Sequence, residues 1–447
     1  MKSLKLLMVA AILCLPVLKS WAQDEVIEIG SIADLSKIET YPVYNETTGA
    51  QIGYTGNFVL TADLDFSGET NWLPIGSENI TEGTSADTQN FLGTFDGQGH
   101  KLSNITVNAP GRSFVSALFI KLGGSAVVKN LALENVNITG GNLTGGLTGT
   151  MFSNTTTPGP TVENVSVTGK ITGTGEVGGI SGRSNNNIPV TVRNCYVNAD
   201  ISGTELITSP SSQGVAQNNP QMVNIGGIIG SAYSGTDITI ENCLVLNTIT
   251  ATRTTATNST NLGGLIGRVI PAAANLKLNN SVVAAELVSN WDGVTGSDNT
   301  NAFWGGSAGT VTVTKCYAVD GLTFPVQDDG TSMPLADLQT QSTYAGLDWD
   351  FDNVWQMNEG EFPTLKIQGA TGIAATNVEK LWNVSGLNNG IEVTASQPID
   401  LSVYDVTGKL LYKSQSCSQA NITLNKGVYI VKGNCKGVVG VEKVMVK

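Results

Sequence analysis

A unit of roughly thirty to fifty residues recurs through the middle of this chain, and such a unit can bury its apolar side only by stacking on copies of itself. Its strands align as VVKNLAL (127–133), TVENVSV (161–167), TVRNCYV (191–197), TIENCLV (239–245), KLNNSVV (277–283) and TVTKCYA (312–318). The shared asparagines are Asn130, Asn164, Asn194, Asn242 and Asn280, with Lys315 in the last copy. Their spacings of 34, 30, 48, 38 and 35 residues describe a constant unit carrying insertions of variable length. A second element, Gly-Gly-apolar-x-Gly, begins at Gly145, Gly178, Gly226 and Gly263, and a degenerate form closes the series at 302–305. Both elements occur together in residues 261–283.

After each asparagine the first and third positions are apolar or small, as in Leu131/Leu133, Val165/Val167 and Cys195/Val197. Four residues further on stands another aliphatic, at Ile171, Ile201, Ile249, Leu287 and Leu322. This alternation turns one side of each strand inward. The expected fold is all-β, a right-handed parallel β-helix followed by a small C-terminal β-sandwich. With about 4.8 Å between coils, seven or eight coils of three short strands make a rod roughly 35 Å long. Asparagine suits the left-handed turn between strands, and stacked amides can bond along the axis. The paired glycines let coils turn and stack closely. They lack the following Lys-Ser/Thr and helix of a phosphate-cradling loop.

Residues 1–22 read as a signal peptide, with Lys2 and Lys5 before an apolar stretch too short to span a bilayer. Residues 23–368 make up the β-helix. Residues 23–57 serve as its N-cap, where Ser31 and Asp34 start a short amphipathic helix, and 332–368 as its C-cap. Residues 58–66 read as one strand. A small-residue linker, 369–380, leads to 381–447, whose alternating strands and 405–409 turn predict a compact all-β unit.

Signal removal takes away three lysines and no acid, moving the formal net charge from −13 to −16. That acidity argues against nucleic acid and against docking on anionic lipid, and no stretch of the mature chain is apolar enough for membrane insertion. A monomer is expected. Of the five cysteines left, Cys195, Cys243 and Cys316 share one repeat position and read as buried thiols, whereas Cys417 and Cys435 are candidates for a disulfide. His100, the one histidine, sits in a Gly-rich turn and reads as structural. Neither CxxC nor HExxH occurs, so no metal or other cofactor is expected. The pairs Asp63/Asp65, Asp328/Asp329 and Asp348/Asp350 form no recurring column, and a chain without enzymatic activity is expected. Trp72, Trp291, Phe303, Trp304 and Tyr317 read as plugs of the core. The inserts 202–223 and 250–261, polar and Thr/Ser/Asn-rich, are the better candidates for a binding edge.

Three resemblances bear on function. FLGTFDGQGHKLSNITV (91–107) resembles the opening coils of secreted bacterial right-handed β-helix proteins. The repeats between residues 54 and 367 resemble GLUG-type repeats of bacterial adhesins and of secreted surface proteins of the Bacteroidetes. The C-terminal block resembles the sorting domain of type IX secretion, on residues 403–409, 427–432 and 443–447, with Tyr404, Asp405, Gly408, Lys409, Gly427 and Tyr429 carrying the motif. Together they imply a protein displayed on the outer surface of a Gram-negative bacterium. It would bind a glycan or a host or matrix protein, and meet the secretion machinery through its C-terminal domain. The rival expectations are a β-helical polysaccharide lyase or glycosidase and a plain structural spacer.

Overall fold

A backbone in the left-handed region bends a strand sharply, and asparagine tolerates it better than most residues that carry a Cβ. In the computed structural model Asn130, Asn164, Asn194, Asn242 and Asn280 all lie there, at φ from 49° to 52°. Gln98 and Lys315 hold the same corner at 51°, so the turn extends past the asparagines at both ends. The described residues are 25–446, less 46, 77–88, 110–114, 153–158, 186–188, 206–208, 211–215, 218–222, 234–236, 254–258, 271–274, 292–297, 307–309, 323, 328, 368–381, 406–408 and 436–437. The signal peptide and the linker therefore fall outside them. They divide into two compact units, Met1–Gly369 and Ala370–Lys447.

The first unit is a parallel β-helix. Each coil of the array gives strands to three sheets, one long and carrying the asparagine corner, one six-stranded and one nine-stranded. In the long sheet the strands before the corner stack in parallel from Val26–Ile29 to Thr310–Thr314. Nine such strands are present among the described residues, more than the spacing implied. The surplus comes from the N-terminal region. Val26–Ile29 and Asn57–Leu60 are coils in their own right. The expected strand over 58–66 is split into Asn57–Leu60 and Leu64–Asp65, and Phe66 begins a 3-10 turn.

Inside, the predicted columns are in register. Leu133 pairs with Val167, then Val197, Val245, Val283 and Ala318. Ile138 pairs with Ile171, Ile201, Ile249 and Leu287. All are buried, and each such aliphatic side chain contributes roughly 1.5–3 kcal/mol. The thiols of Cys195, Cys243 and Cys316 are free and fully buried, bonded weakly to backbone carbonyls. Burial pushes the Cys316 thiol up to about 11, and burial next to Cys195 raises that of Cys243. Ser281 fills the same column, its Oγ accepting from the Cys243 N–H at 3.2 Å.

The glycine pairs have a steric cause rather than a torsional one. A Cβ on Gly145, Gly178, Gly226 or Gly263 would meet a carbonyl oxygen three residues ahead at 2.1 Å. On Gly146, Gly179, Gly227 or Gly264 it would meet the carbonyl of the next coil at 2.2–2.3 Å.

At the N-terminal end a 3-10 helix, Ile32–Thr40, inserts Leu35 and Ile38 into the core. Ser31 Oγ accepts from the Asp34 N–H, and the Asp34 carboxylate accepts from Ser31 Oγ and the Gly30 N–H. Bonds from Lys37 and Ser31 hold that carboxyl near 2.

The C-terminal end differs from expectation. Residues 335–367 do not close the stack but lie along its flank. The position two after each asparagine points outward, and from Asn194 onward it is large and apolar: Tyr196, Leu244, Val282 and Tyr317, in register. Leu338, Tyr344, Leu347, Trp349, Trp355 and Leu365 cover that stripe. Trp349 stacks on Trp355 at 4.2 Å and donates from Nε1 to the Asn280 carbonyl at 2.8 Å. The end itself is closed by the preceding loop. Leu322, Phe324 and Val326 pack on the core. The Gln327 side chain accepts from the Phe303 and Trp304 N–H groups and donates to the Trp304 carbonyl. One glutamine thus satisfies backbone groups that a tenth coil would have met.

The second unit is a five-stranded antiparallel sheet whose 16-residue strand Gly390–Asp405 bends through register shifts and pairs with three others. Its core holds Trp382, Ile391, Leu401, Val403, Tyr429 and Val431. The Cys417–Cys435 disulfide is not formed, and Cys417 is free. The two cysteines lie on strands flanking Gly390–Asp405 from opposite sides, with Cys417 opposite Ile399 and Asn434 opposite Asp400. Two strand spacings, about 10 Å, exceed what a disulfide spans.

Candidate functional site

The asparagine column is a scaffold feature. Asn164 Nδ2 donates to Asn130 Oδ1 at 3.0 Å, Asn130 Nδ2 to Asp96 Oδ1 at 3.0 Å, and Asn242 Nδ2 to Asn194 Oδ1 at 3.2 Å. The ladder is interrupted elsewhere, and Asn164 Oδ1 and Asn242 Oδ1 are buried without a partner. Two further ladders went unread in the sequence. Asn135 donates to Asn104 and Asn104 to Asp65, both at 2.7 Å. Asn299 donates to Asn261 and Asn261 to Asn224, at 2.9 and 2.7 Å.

That last ladder belongs to a seam where the six-stranded sheet folds back against the nine-stranded one. The third glycine of each motif makes the approach close: a Cβ on Gly230 or Gly267 would lie 2.6 or 2.3 Å from a backbone nitrogen of the facing sheet. Leu143, Glu176, Asn224, Asn261 and Asn299 share one register position along the first sheet. Thr150, Arg183, Ser231, Arg268 and Gly306 share one along the second. Each coil therefore sets two seam residues seven apart, a spacing visible in the chain as E-VGGISG-R, N-IGGIIG-S and N-LGGLIG-R. The seam begins apolar, with Val115, Ile120 and Leu143 packed together, and becomes polar further along.

Its strongest contact is an ion pair. Arg183 Nε and Nη2 donate to the two Glu176 carboxylate oxygens at 2.6 and 2.5 Å, Tyr233 Oη donates to Glu176 at 2.9 Å, and the guanidinium lies 4.3 Å over the Tyr233 ring. Burial alone would lower the Arg183 guanidinium, but the charge and bonds of Glu176 more than reverse this and hold it above its ordinary value. Burial, and then the Glu176 charge, push the Tyr233 hydroxyl up to about 12.

The other singled-out residues are dispersed. His100 is buried with Nδ1 2.9 Å from Asp63 Oδ1, and its Nε2 has no partner. Asp65 accepts from Asn104 and the Ser67 N–H, which lowers its carboxyl. Asp350 caps a turn through Asn353 and the Asp352 N–H, with the same effect. Asp348 lies 3.6 Å from Lys315, and Asp328 falls outside the described residues. No group of three or more His, Cys, Asp or Glu among the described residues could hold a metal. Phe303 and Trp304 are buried, Trp72 packs edge-on to Phe66, and Tyr317 lies under the flanking segment. The Trp291 side chain, most of the insert 202–223 and residues 254–258 of the other lie outside the described residues. In the second unit Asp405 Oδ1 accepts from the Lys409 N–H, Tyr404 pairs with Ile430, and Tyr429 Oη donates to the Asn425 carbonyl. Gly427 opens its strand opposite Val446, and Gly408 is outside the described residues. No helix among the described residues is long and apolar enough to cross a membrane.

No known family's sequence profile matches the chain. A stretch of 174 residues is 36% identical to part of halomucin from Haloquadratum walsbyi, covering 38% of this chain and 2% of halomucin, so the chain spans a small fraction of that relative. Among solved structures it is similar to a putative immunoglobulin A1 protease from Bacteroides ovatus, with a TM-score of 0.56 at 18% identity, covering 76% of this chain and 92% of that one. The likeness shows the fold. It also corrects the expectation of a chain without enzymatic activity, since the Bacteroides ovatus protein of this architecture bears the name of a putative immunoglobulin A1 protease.

Proposed function

We propose that this is a secreted, cell-surface β-helix that presents its inserted segments to a glycan or to a host or matrix protein. The supporting observation is the contrast between an invariant coil and spacings that vary from 30 to 48 residues. A rigid stack tolerates variation only where chain leaves the coil, and loops on rigid scaffolds carry recognition. Similarity to part of halomucin accords with a surface setting. The GLUG-like repeats supply the scaffold, and residues 381–447 act as the sorting domain that meets the export machinery. Binding of the purified chain to a glycan and matrix-protein array tests the reading, and an array on which nothing is retained overturns it. Surface display that survives deletion of 381–447 overturns the sorting role.

Asp63–His100 favours a second reading, cleavage of the bound partner. It is a buried imidazole oriented by a carboxylate, with its far nitrogen unpartnered. Incubation with immunoglobulin A1 tests it: cleavage by the natural chain and none by His100→Asn is the expected result. Equal cleavage by both removes His100 from the chemistry.

A further inference from the structure

The seam contains one completed guanidinium–carboxylate pair and, two coils on, the same place half filled. Arg183 and Arg268 occupy equivalent positions, joined in register through Ser231. Glu176 and Asn261 occupy the facing equivalent positions, joined through Asn224. Where the first coil supplies a bidentate acid, the later one supplies a neutral amide. Among the described residues no acid lies within ion-pair distance of Arg268, which is half-buried on a chain of net charge −13. A guanidinium in that setting lacks the planar acceptor that suits it.

Two further observations mark the place as open to a ligand. Ser231, fully buried beside both arginines in the register, has a hydroxyl without a partner. The position above Arg268 is Gly306, which contributes no side chain to cover it, and a Cβ there would collide with Asn261 Oδ1. Lys121 stands in the same column two coils before Arg183. Arg183, between Lys121 and Arg268 in that column, is already met by Glu176.

We infer that the seam around Arg268 binds a carboxylate of an acidic glycan, a uronic-acid polymer. The external carboxylate takes the place that Glu176 takes beside Arg183. Ser231 places its unpartnered hydroxyl beside that carboxylate.

The test uses the full chain in affinity electrophoresis with polygalacturonate, its fully methyl-esterified form and poly-L-glutamate. Retardation by polygalacturonate alone is expected. Arg268→Gln should weaken it roughly tenfold or more, the size of a charged hydrogen-bonded contact. Asn261→Asp, which completes the pair internally, should weaken it likewise. Lys170→Gln, an equal change in charge at an exposed site on the long sheet, should leave it unchanged. Unfolding midpoints check the fold of each variant. Arg268→Lys keeps the charge without the planar fork, and should bind more weakly than the natural chain even where Arg268→Gln fails to fold. The inference is overturned by an unretarded natural chain, by equal losses in Arg268→Gln and Lys170→Gln, or by equal binding of poly-L-glutamate. It rests in part on the glycan-facing reading above. Retention of a neutral glycan on the array without polygalacturonate binding would sink this inference and leave that reading intact.

Discussion

The outer face of the long sheet differs between the two halves of the stack while its inner face does not. In the coils of Asn130 and Asn164 the outward position after the corner is Ala132 or Ser166, both small. In the coils of Asn194, Asn242 and Asn280 it is Tyr196, Leu244 or Val282, and residues 335–367 lie over that stripe. The inward columns run through both halves without change. The backbone repeat fixes where a side chain points, and the residue placed there decides how much apolar surface a coil gives to the segment over it.

The contrast predicts which substitutions are felt locally and which everywhere. Trp355→Ala removes a fully buried ring stacked on Trp349 and should cost about 3–5 kcal/mol in denaturant unfolding. Amide exchange should speed up at Leu244–Leu246, under the flanking segment, and not in Val127–Thr139. Equal acceleration in both would break the comparison. Smaller effects, about 1–3 kcal/mol, are expected from Gly146→Ala and Gly227→Ala, whose new Cβ atoms meet carbonyls at 2.3 and 2.2 Å. Because that contact belongs to the interior, the two costs should match, and a much larger loss at Gly227 would tie the flanking segment to the scaffold. Asn164→Ala and Asn242→Ala should each cost roughly 1–2 kcal/mol for the left-handed corner, again alike in both halves. Thermal unfolding that finds either one neutral would show that the corner tolerates any residue, as Lys315 already hints.

Much of the β-helix was legible because its signals repeat. One asparagine is a weak sign of a turn, whereas five at matching places, each followed by inward residues at the first and third positions, leave few alternatives. The flanking segment looks like an end cap in the sequence because the inward positions alone do not show what covers the outer face. Tyr196, Leu244, Val282 and Tyr317 stood in view one residue away, and an apolar outward column is the signal that something covers it. The closing loop offered less. Gln327 is one polar residue whose importance comes from meeting the Phe303 and Trp304 N–H groups, which lie more than twenty positions earlier.

The candidate site was hidden for a related reason. The seven-residue spacing of Glu176 to Arg183 and Asn261 to Arg268 is written in the chain, but a strand pair folded back on itself is needed to bring those positions face to face. Likewise Cys417 and Cys435 looked like partners until the register placed Gly390–Asp405 between their strands.

Periodicity by itself determined the parallel stack, the inward columns and the corners, because those depend on local torsion and on burial repeated at fixed intervals. The tertiary structure alone decided what closes the ends, what lies along the flank, and which polar residues meet across the seam. Those contacts join positions with no constant separation in the chain, so no period carries them. They follow from where the completed stack leaves unpaired backbone, apolar surface or an uncompensated charge.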